Sequence, residues 1–125
     1  MADFWGYHAI INVGGVDKKY LIEHEINETH IKAFVQDLVK RIDMVAYGEP
    51  ETPYFAAADP NKGGYSLNQF IETSNITGHF VTERGEIYLD IFSCKEFRMK
   101  DALGCIHDWF EPTKINAQMI TRSVD

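Results

Sequence analysis

Cysteine is scarce in this chain: Cys94 and Cys105 are the only two in 125 residues. Neither belongs to a Cys-x-x-Cys pair, so two free thiols in an intracellular protein are the simplest account. Basic residues are outnumbered, 12 Lys and Arg against 19 Asp and Glu, for a net charge of −7. That balance argues against non-specific binding to nucleic acid or to anionic membrane, because both need a basic surface. No segment approaches the ~20 apolar residues of a membrane span. The start, Met1-Ala2-Asp3-Phe4-Trp5-Gly6-Tyr7, has neither the basic end nor the apolar run of a signal peptide. A cytoplasmic location is expected. His8, His24, His30, His79 and His107 show no HxxxH or HxH pairing with carboxylates at ligand spacing, so no metal site is expected. No Gly-x-Ser-x-Gly elbow surrounds Ser66 or Ser74, which leaves a Ser-His-Asp hydrolase little support. There is no internal repeat and no low-complexity segment.

What is present is a globular composition, 45% hydrophobic and 13% aromatic. A chain of this length is expected to form one domain and to bury roughly 65% of its unfolded surface without staples. Tyr7 to Val13 reads as a first strand, closed by Gly14-Gly15. Asn27 is a good helix cap, and Ile31, Phe34, Val35, Leu38, Val39 and Ile42 then recur at the spacing of one apolar helix face. Met44 to Tyr47 reads as a short strand. From Gly48 to Gly64 the chain is rich in Pro, Gly, Asp and Asn, which favours a loop, with Pro53 to Ala57 a candidate strand inside it. A loop this long is either functional or a tolerated surface insertion. Strands follow at Tyr65 to Glu72, Asn75 to Val81 and Glu86 to Cys94. Met99 to Phe110 is a second amphipathic helix ended by Pro112, and Lys114 to Thr121 is a last strand. The order β-α-β-β-β-β-α-β implies an α+β fold, with two helices on one face of a mostly antiparallel sheet.

The stretch Thr73-Ser74-Asn75-Ile76-Thr77-Gly78-His79, with Cys94 beyond it, gathers a serine, a histidine and a cysteine in one hairpin. With Arg84-Gly85 at the centre of the turn, His79 is expected opposite Asp90, and Asn75 opposite Cys94. Alternation then puts Thr77 and His79 on one face with Tyr88, Asp90, Phe92 and Cys94. Ile76, Phe80, Ile87, Leu89 and Ile91 take the other face, toward the helices. The first face is either solvated or covered; its two large aromatics favour covering, by a pocket wall or a second subunit. Ser74 has the wrong parity for that face and needs a local bend to reach it. Asp90 reads as a cross-strand partner that orients His79. Taken one at a time, these side chains are also ordinary strand residues, and Cys94 a buried strand-end thiol.

Ser74-Asn75-Ile76-Thr77-Gly78-His79, then Glu83, then Asp90-Ile91-Phe92-Ser93-Cys94, with Ser66 eight residues ahead, resembles the core of the small prokaryotic S-adenosylmethionine decarboxylases. Gly6-Tyr7-His8 is similar to that family's Gly-x-His opening. The resemblance runs from Gly6 to about Thr121 and is specific from Ser66 to Cys94. It implies a proenzyme that cuts itself between Thr73 and Ser74, leaving a pyruvoyl group derived from Ser74 as its cofactor and the site of a Schiff base with substrate. It further implies processing roles for Ser66 and His79, a proton-donor role for Cys94, and contact of Glu83 with the ribose of S-adenosylmethionine. The product would supply aminopropyl groups for spermidine. Family members assemble as αββα sandwiches, so a homodimer, or a dimer of processed units, is implied. Asn75, Gly78 and Val81-Thr82 depart from the family pattern, and the Gly48 to Gly64 loop is longer. Two alternatives share the resemblance: a pyruvoyl decarboxylase of arginine or ornithine, and an uncleaved binding or regulatory relative.

Overall fold

Apolar alternation in the strands and apolar 3–4 spacing in the helices converge on one buried layer. The computed structural model describes residues 4–16, 27–55 and 58–125. Its elements are β1 (Gly6–Gly14), α1 (Glu28–Arg41), β2 (Ala46–Glu51), β3 (Tyr54–Phe55), β4 (Gly64–Ile71), β5 (Ser74–Val81), β6 (Glu86–Ser93), α2 (Met99–Phe110) and β7 (Lys114–Arg122). Six strands form the antiparallel path β2-β4-β5-β6-β1-β7, and β3 pairs with β4 to complete a seven-stranded sheet. The architecture is the expected α+β arrangement, and the candidate strand inside the Gly48 to Gly64 stretch is present as β3.

Asn27 caps α1 by accepting the His30 backbone N–H at 3.1 Å. Ile31, Phe34, Val35, Leu38 and Val39 of α1 are buried, as are Ala102, Cys105, Ile106 and Phe110 of α2. They meet Ala9, Ile11, Val13, Leu67, Ile71, Ile76, Phe80, Ile87, Leu89 and Ile91, all from one parity of the strands. Phe34 and Phe110 pack edge-on with centroids 4.8 Å apart, and both contact Phe80, so the two helices and the central strand β5 lock together.

Between the helices, Asp37 accepts from the Trp109 indole N–H at 2.8 Å and from Arg41 Nε at 3.0 Å. The Trp109 bond first, then Arg41, holds its carboxyl below the ordinary value of 3.8. A depressed folded-state value contributes stability above the unfolded value, lost as pH falls through the folded one. Asp37→Asn should therefore flatten the acid limb of the stability curve below about pH 4 while costing roughly 1 kcal/mol at pH 7. Denaturant melts from pH 2.5 to 7 would measure both (a range chosen to bracket carboxyl titration). Next to it, burial pushes the Cys105 thiol up to about 12, which makes it an inert core residue.

Two details depart from the sequence-based expectation. The β5–β6 connection is a four-residue turn over 82–85, so Thr77 faces Asp90 and His79 faces Tyr88, two residues from the expected register. A two-residue shift preserves parity, so the division into faces stands. The strand expected at Met44 to Tyr47 instead runs Ala46–Glu51, into the Gly- and Pro-containing stretch. An edge strand tolerates Pro. The register shifts between Tyr47 and Glu51, and the buried Gln69 amide donates to the Gly48 and Phe70 carbonyls at 3.1 and 2.7 Å.

Gly78 lies on the helix-facing side of β5. A Cβ there would stand 2.8 Å from Leu89 Cδ1, so Leu89 occupies the space a larger residue would fill. Gly78→Val should destabilise by about 1–3 kcal/mol through overpacking. Adding Leu89→Ala should recover part of that loss, and a double-mutant cycle by urea unfolding would test the pairing.

Candidate active site

Ser74 opens β5, in register with Ser93 on one side and Ile71 on the other. Three described non-glycine residues have positive φ: Asp43, Ser74 and Glu111. Asp43 follows α1 and Glu111 caps α2, both with the left-handed values common at helix ends. Ser74 is the one inside a strand, and its φ of 155° lies outside the β region of L-residues.

The residue before it is held from three directions. The Thr73 carbonyl accepts the Cys94 backbone N–H at 3.0 Å. The Thr73 hydroxyl accepts from Ser93 Oγ at 2.8 Å and donates to Met44 Sδ at 3.4 Å. Ser93 is fully buried, and its Oγ in turn accepts the Lys95 N–H at 2.9 Å. The Thr73–Ser74 peptide is thereby pinned to the end of β6. Cys94 stands just past that end as an exposed free thiol, rather than a buried one, because β6 stops at Ser93.

A second cluster lies at the other end of the hairpin. Ser66 and His79 are cross-strand partners, and Ser66 Oγ is 3.1 Å from His79 Nδ1. His79 Nε2 is 2.6 Å from the Lys62 carbonyl oxygen. A carbonyl only accepts, so Nε2 carries the hydrogen, Nδ1 is the acceptor, and the Ser66 hydroxyl donates to it. Beside His79 is a cavity of about 230 Å³ walled by Lys62, Arg84, Glu86 and Tyr88. Glu83 is exposed in the adjoining turn. Asp90 does not orient His79: the shifted register puts it across from Thr77, and its Oδ1 pairs with His8 Nε2 at 2.9 Å.

The two clusters are not brought together within the chain. Five residues of strand separate Ser74 from His79, about 17 Å at the rise of a β-strand. Between them spreads the sheet face turned away from the helices. Tyr47, Phe70, Tyr88 and Ile120 stand exposed on it, and Trp5 packs on Phe92 with centroids 5.8 Å apart. Together these side chains give that sheet face an exposed aromatic and apolar surface.

Sequence reasoning missed Met44, the Ser93–Thr73 hydroxyl pair, the Cys94 N–H and the Lys62 carbonyl. Met44 and Lys62 approach through tertiary packing, and backbone groups leave no mark in residue identities. Ser93 could have been found, since it sits beside Cys94 in the motif that carries the resemblance. Among the described residues no group of three or more His, Cys, Asp or Glu could hold a metal ion, and no helix is long and apolar enough to cross a membrane.

No match was found among curated proteins. The crystal structure of the adenosylmethionine decarboxylase from Aquifex aeolicus VF5 superposes with a TM-score of 0.75 at 20% identity, covering 99% of this chain and 95% of that one. The sequence pattern described as S-adenosylmethionine decarboxylase matches residues 7–123, which include both clusters and all of the sheet but Gly6, the first residue of β1. With nearly the whole chain so matched, the protein belongs to the S-adenosylmethionine decarboxylase family.

Proposed function

We propose that this chain is a self-processing, pyruvoyl-dependent decarboxylase of S-adenosylmethionine, working as a homodimer. The observation that carries the reading is the Thr73–Ser74 peptide: a strand serine of unusual φ whose preceding carbonyl already accepts a backbone N–H from Cys94. Addition of Ser74 Oγ to the Thr73 carbonyl carbon puts negative charge on that carbonyl oxygen. The Cys94 N–H is aimed at it, as an oxyanion-hole donor is. Cleavage of the C–N bond completes the N→O acyl shift, and the ester oxygen replaces the amide nitrogen. Loss of the Ser74 Cα proton then expels Thr73 as a carboxylate. Water replaces the nitrogen of the remaining dehydro residue, which leaves as ammonia, and the C-terminal piece begins with a ketone. The residues present fit this group, since Ser74 is its source and its neighbours fix the peptide on both sides.

The pyruvoyl ketone supplies the electron sink that lets a substrate carboxylate leave as CO₂. Cys94, exposed beside residue 74, is the acid that protonates the decarboxylated carbon. His79 is the base of processing, with Ser66 held on its Nδ1. The ~17 Å between His79 and Ser74 along β5 is closed by a second copy. Two sheets packed face to face, helices outside, bury the aromatic face and bring the partner's Ser66 and His79 to Ser74. Glu83, exposed in its turn, accepts both ribose hydroxyls as an ionised carboxylate. The product supplies aminopropyl groups for spermidine.

Purified wild-type chain, followed by intact-mass measurement, should resolve into pieces that meet between Thr73 and Ser74. CO₂ release should be faster from S-adenosylmethionine than from arginine or ornithine. A single intact mass after prolonged incubation would sink the reading, and preferred release from arginine or ornithine would sink its substrate.

A further inference from the structure

The long segment between β2 and β4 ends in a turn whose geometry bears on His79. Asp59 begins a Pro-containing turn, Asp59-Pro60-Asn61-Lys62. Its carbonyl accepts the N–H groups of Lys62 at 3.0 Å and Gly63 at 2.6 Å. Its side-chain Oδ1 accepts the Asn61 N–H at 2.9 Å. Asp at the first position and Pro at the second are the residues a type I turn favours, the one by its side-chain acceptor and the other by its fixed φ. Gly64 then anchors the turn to β5. Its φ is +157°, and a Cβ there would overlap the Phe80 carbonyl oxygen, so the backbones meet as closely as glycine alone permits. Phe80 is the residue after His79. The turn therefore carries the Lys62 carbonyl to a fixed place, 2.6 Å from His79 Nε2.

From this we infer that Asp59 is a positioning residue for self-processing: it shapes the turn that presents the Lys62 carbonyl, and that carbonyl keeps His79 in the Nε2–H tautomer, with Nδ1 unprotonated and holding the Ser66 hydroxyl. The inference rests on the self-processing reading above for its consequence, though not for its geometry. Asp59 touches neither Ser74 nor Ser66; it acts through Lys62 and His79. A histidine whose second nitrogen is satisfied by an acceptor is held in one tautomer and one ring orientation. Without that acceptor both tautomers are populated, and the fraction ready to take a proton through Nδ1 falls.

Asp59→Ala removes the Oδ1 acceptor, and Asp59→Asn keeps one at the same place. In the full chain, Asp59→Ala should slow cleavage at Ser74 about tenfold, a part of the 10²–10⁴ that a positioned acid–base group supplies. Asp59→Asn should cleave within about twofold of wild type, since an Asn oxygen forms the same turn. In an uncleavable Ser74→Ala background, ¹⁵N chemical shifts of the His79 ring should show Nε2 protonated and Nδ1 bare. Adding Asp59→Ala should mix the two tautomers, and adding Asp59→Asn should not. Unchanged cleavage in Asp59→Ala, slowing with an unmixed tautomer, or equal slowing in Asp59→Asn would each overturn the inference. A wild-type chain that never cleaves would overturn the self-processing reading instead, and the ring measurement would still decide the tautomer claim.

Discussion

Chains carrying Ser74→Ala and chains carrying His79→Ala should each stay whole when purified alone, and cleavage should appear when the two are co-expressed. The fragments should come from the His79→Ala chain only. That chain retains Ser74 and receives an intact His79 from its partner. The Ser74→Ala chain lends its histidine and has nothing to cleave. The expectation follows from strand geometry: five residues of β5 place the two side chains about 17 Å apart, far beyond hydrogen-bond reach, on a sheet too rigid to fold back. Loss of the histidine should slow processing by about 10²–10⁴ in the unmixed variant. Intact masses distinguish every species, because the substitutions differ in mass. Cleavage of the His79→Ala chain by itself would show that His79 is dispensable. No cleavage in the mixture, with dimers demonstrated by light scattering, would show that the residues do not meet across an interface.

Replacing Cys94 should separate processing from turnover. Cys94→Ala deletes the thiol and keeps the backbone N–H on the Thr73 carbonyl. Cleavage should continue within several-fold of wild type, while CO₂ release should fall about 10²–10⁴ as the proton donor is lost. Cys94→Pro removes the N–H as well and should slow cleavage itself by about 10²–10³, the usual loss for one oxyanion donor. Position 94 is exposed past the end of β6, so a proline there need not break a sheet pairing. A circular-dichroism melt of each variant would confirm folding. Equal loss of cleavage in both variants would assign the processing role to the thiol.

The two substitutions make different demands on what sequence could tell. The thiol was legible by its place, at the end of an Asp-x-Phe-Ser-Cys strand. The N–H was not, because every residue but proline carries one, and only folding aims it. The same division holds at His79. Its spacing from Ser66 and Ser74 could be read, but the Lys62 carbonyl that fixes its tautomer arrives by a loop closure that leaves no pattern. Asp90 shows how a small error travels. Reading a two-residue turn where four residues form it moved Asp90 from Thr77 to His79 and suggested a partnership that His8 in fact holds. Parity survived because the slip was even, so the apolar and polar faces came out correctly.

Residue order alone was enough for the helices, the strand alternation and the α+β class, because each depends on a period of apolar side chains that burial enforces locally. It was also enough to place Ser74, His79 and Cys94 on one hairpin. What only the tertiary structure decided is how they are divided. One extended strand cannot bring its own ends together, so Ser74 and Cys94 fall at one end of the hairpin and His79 at the other.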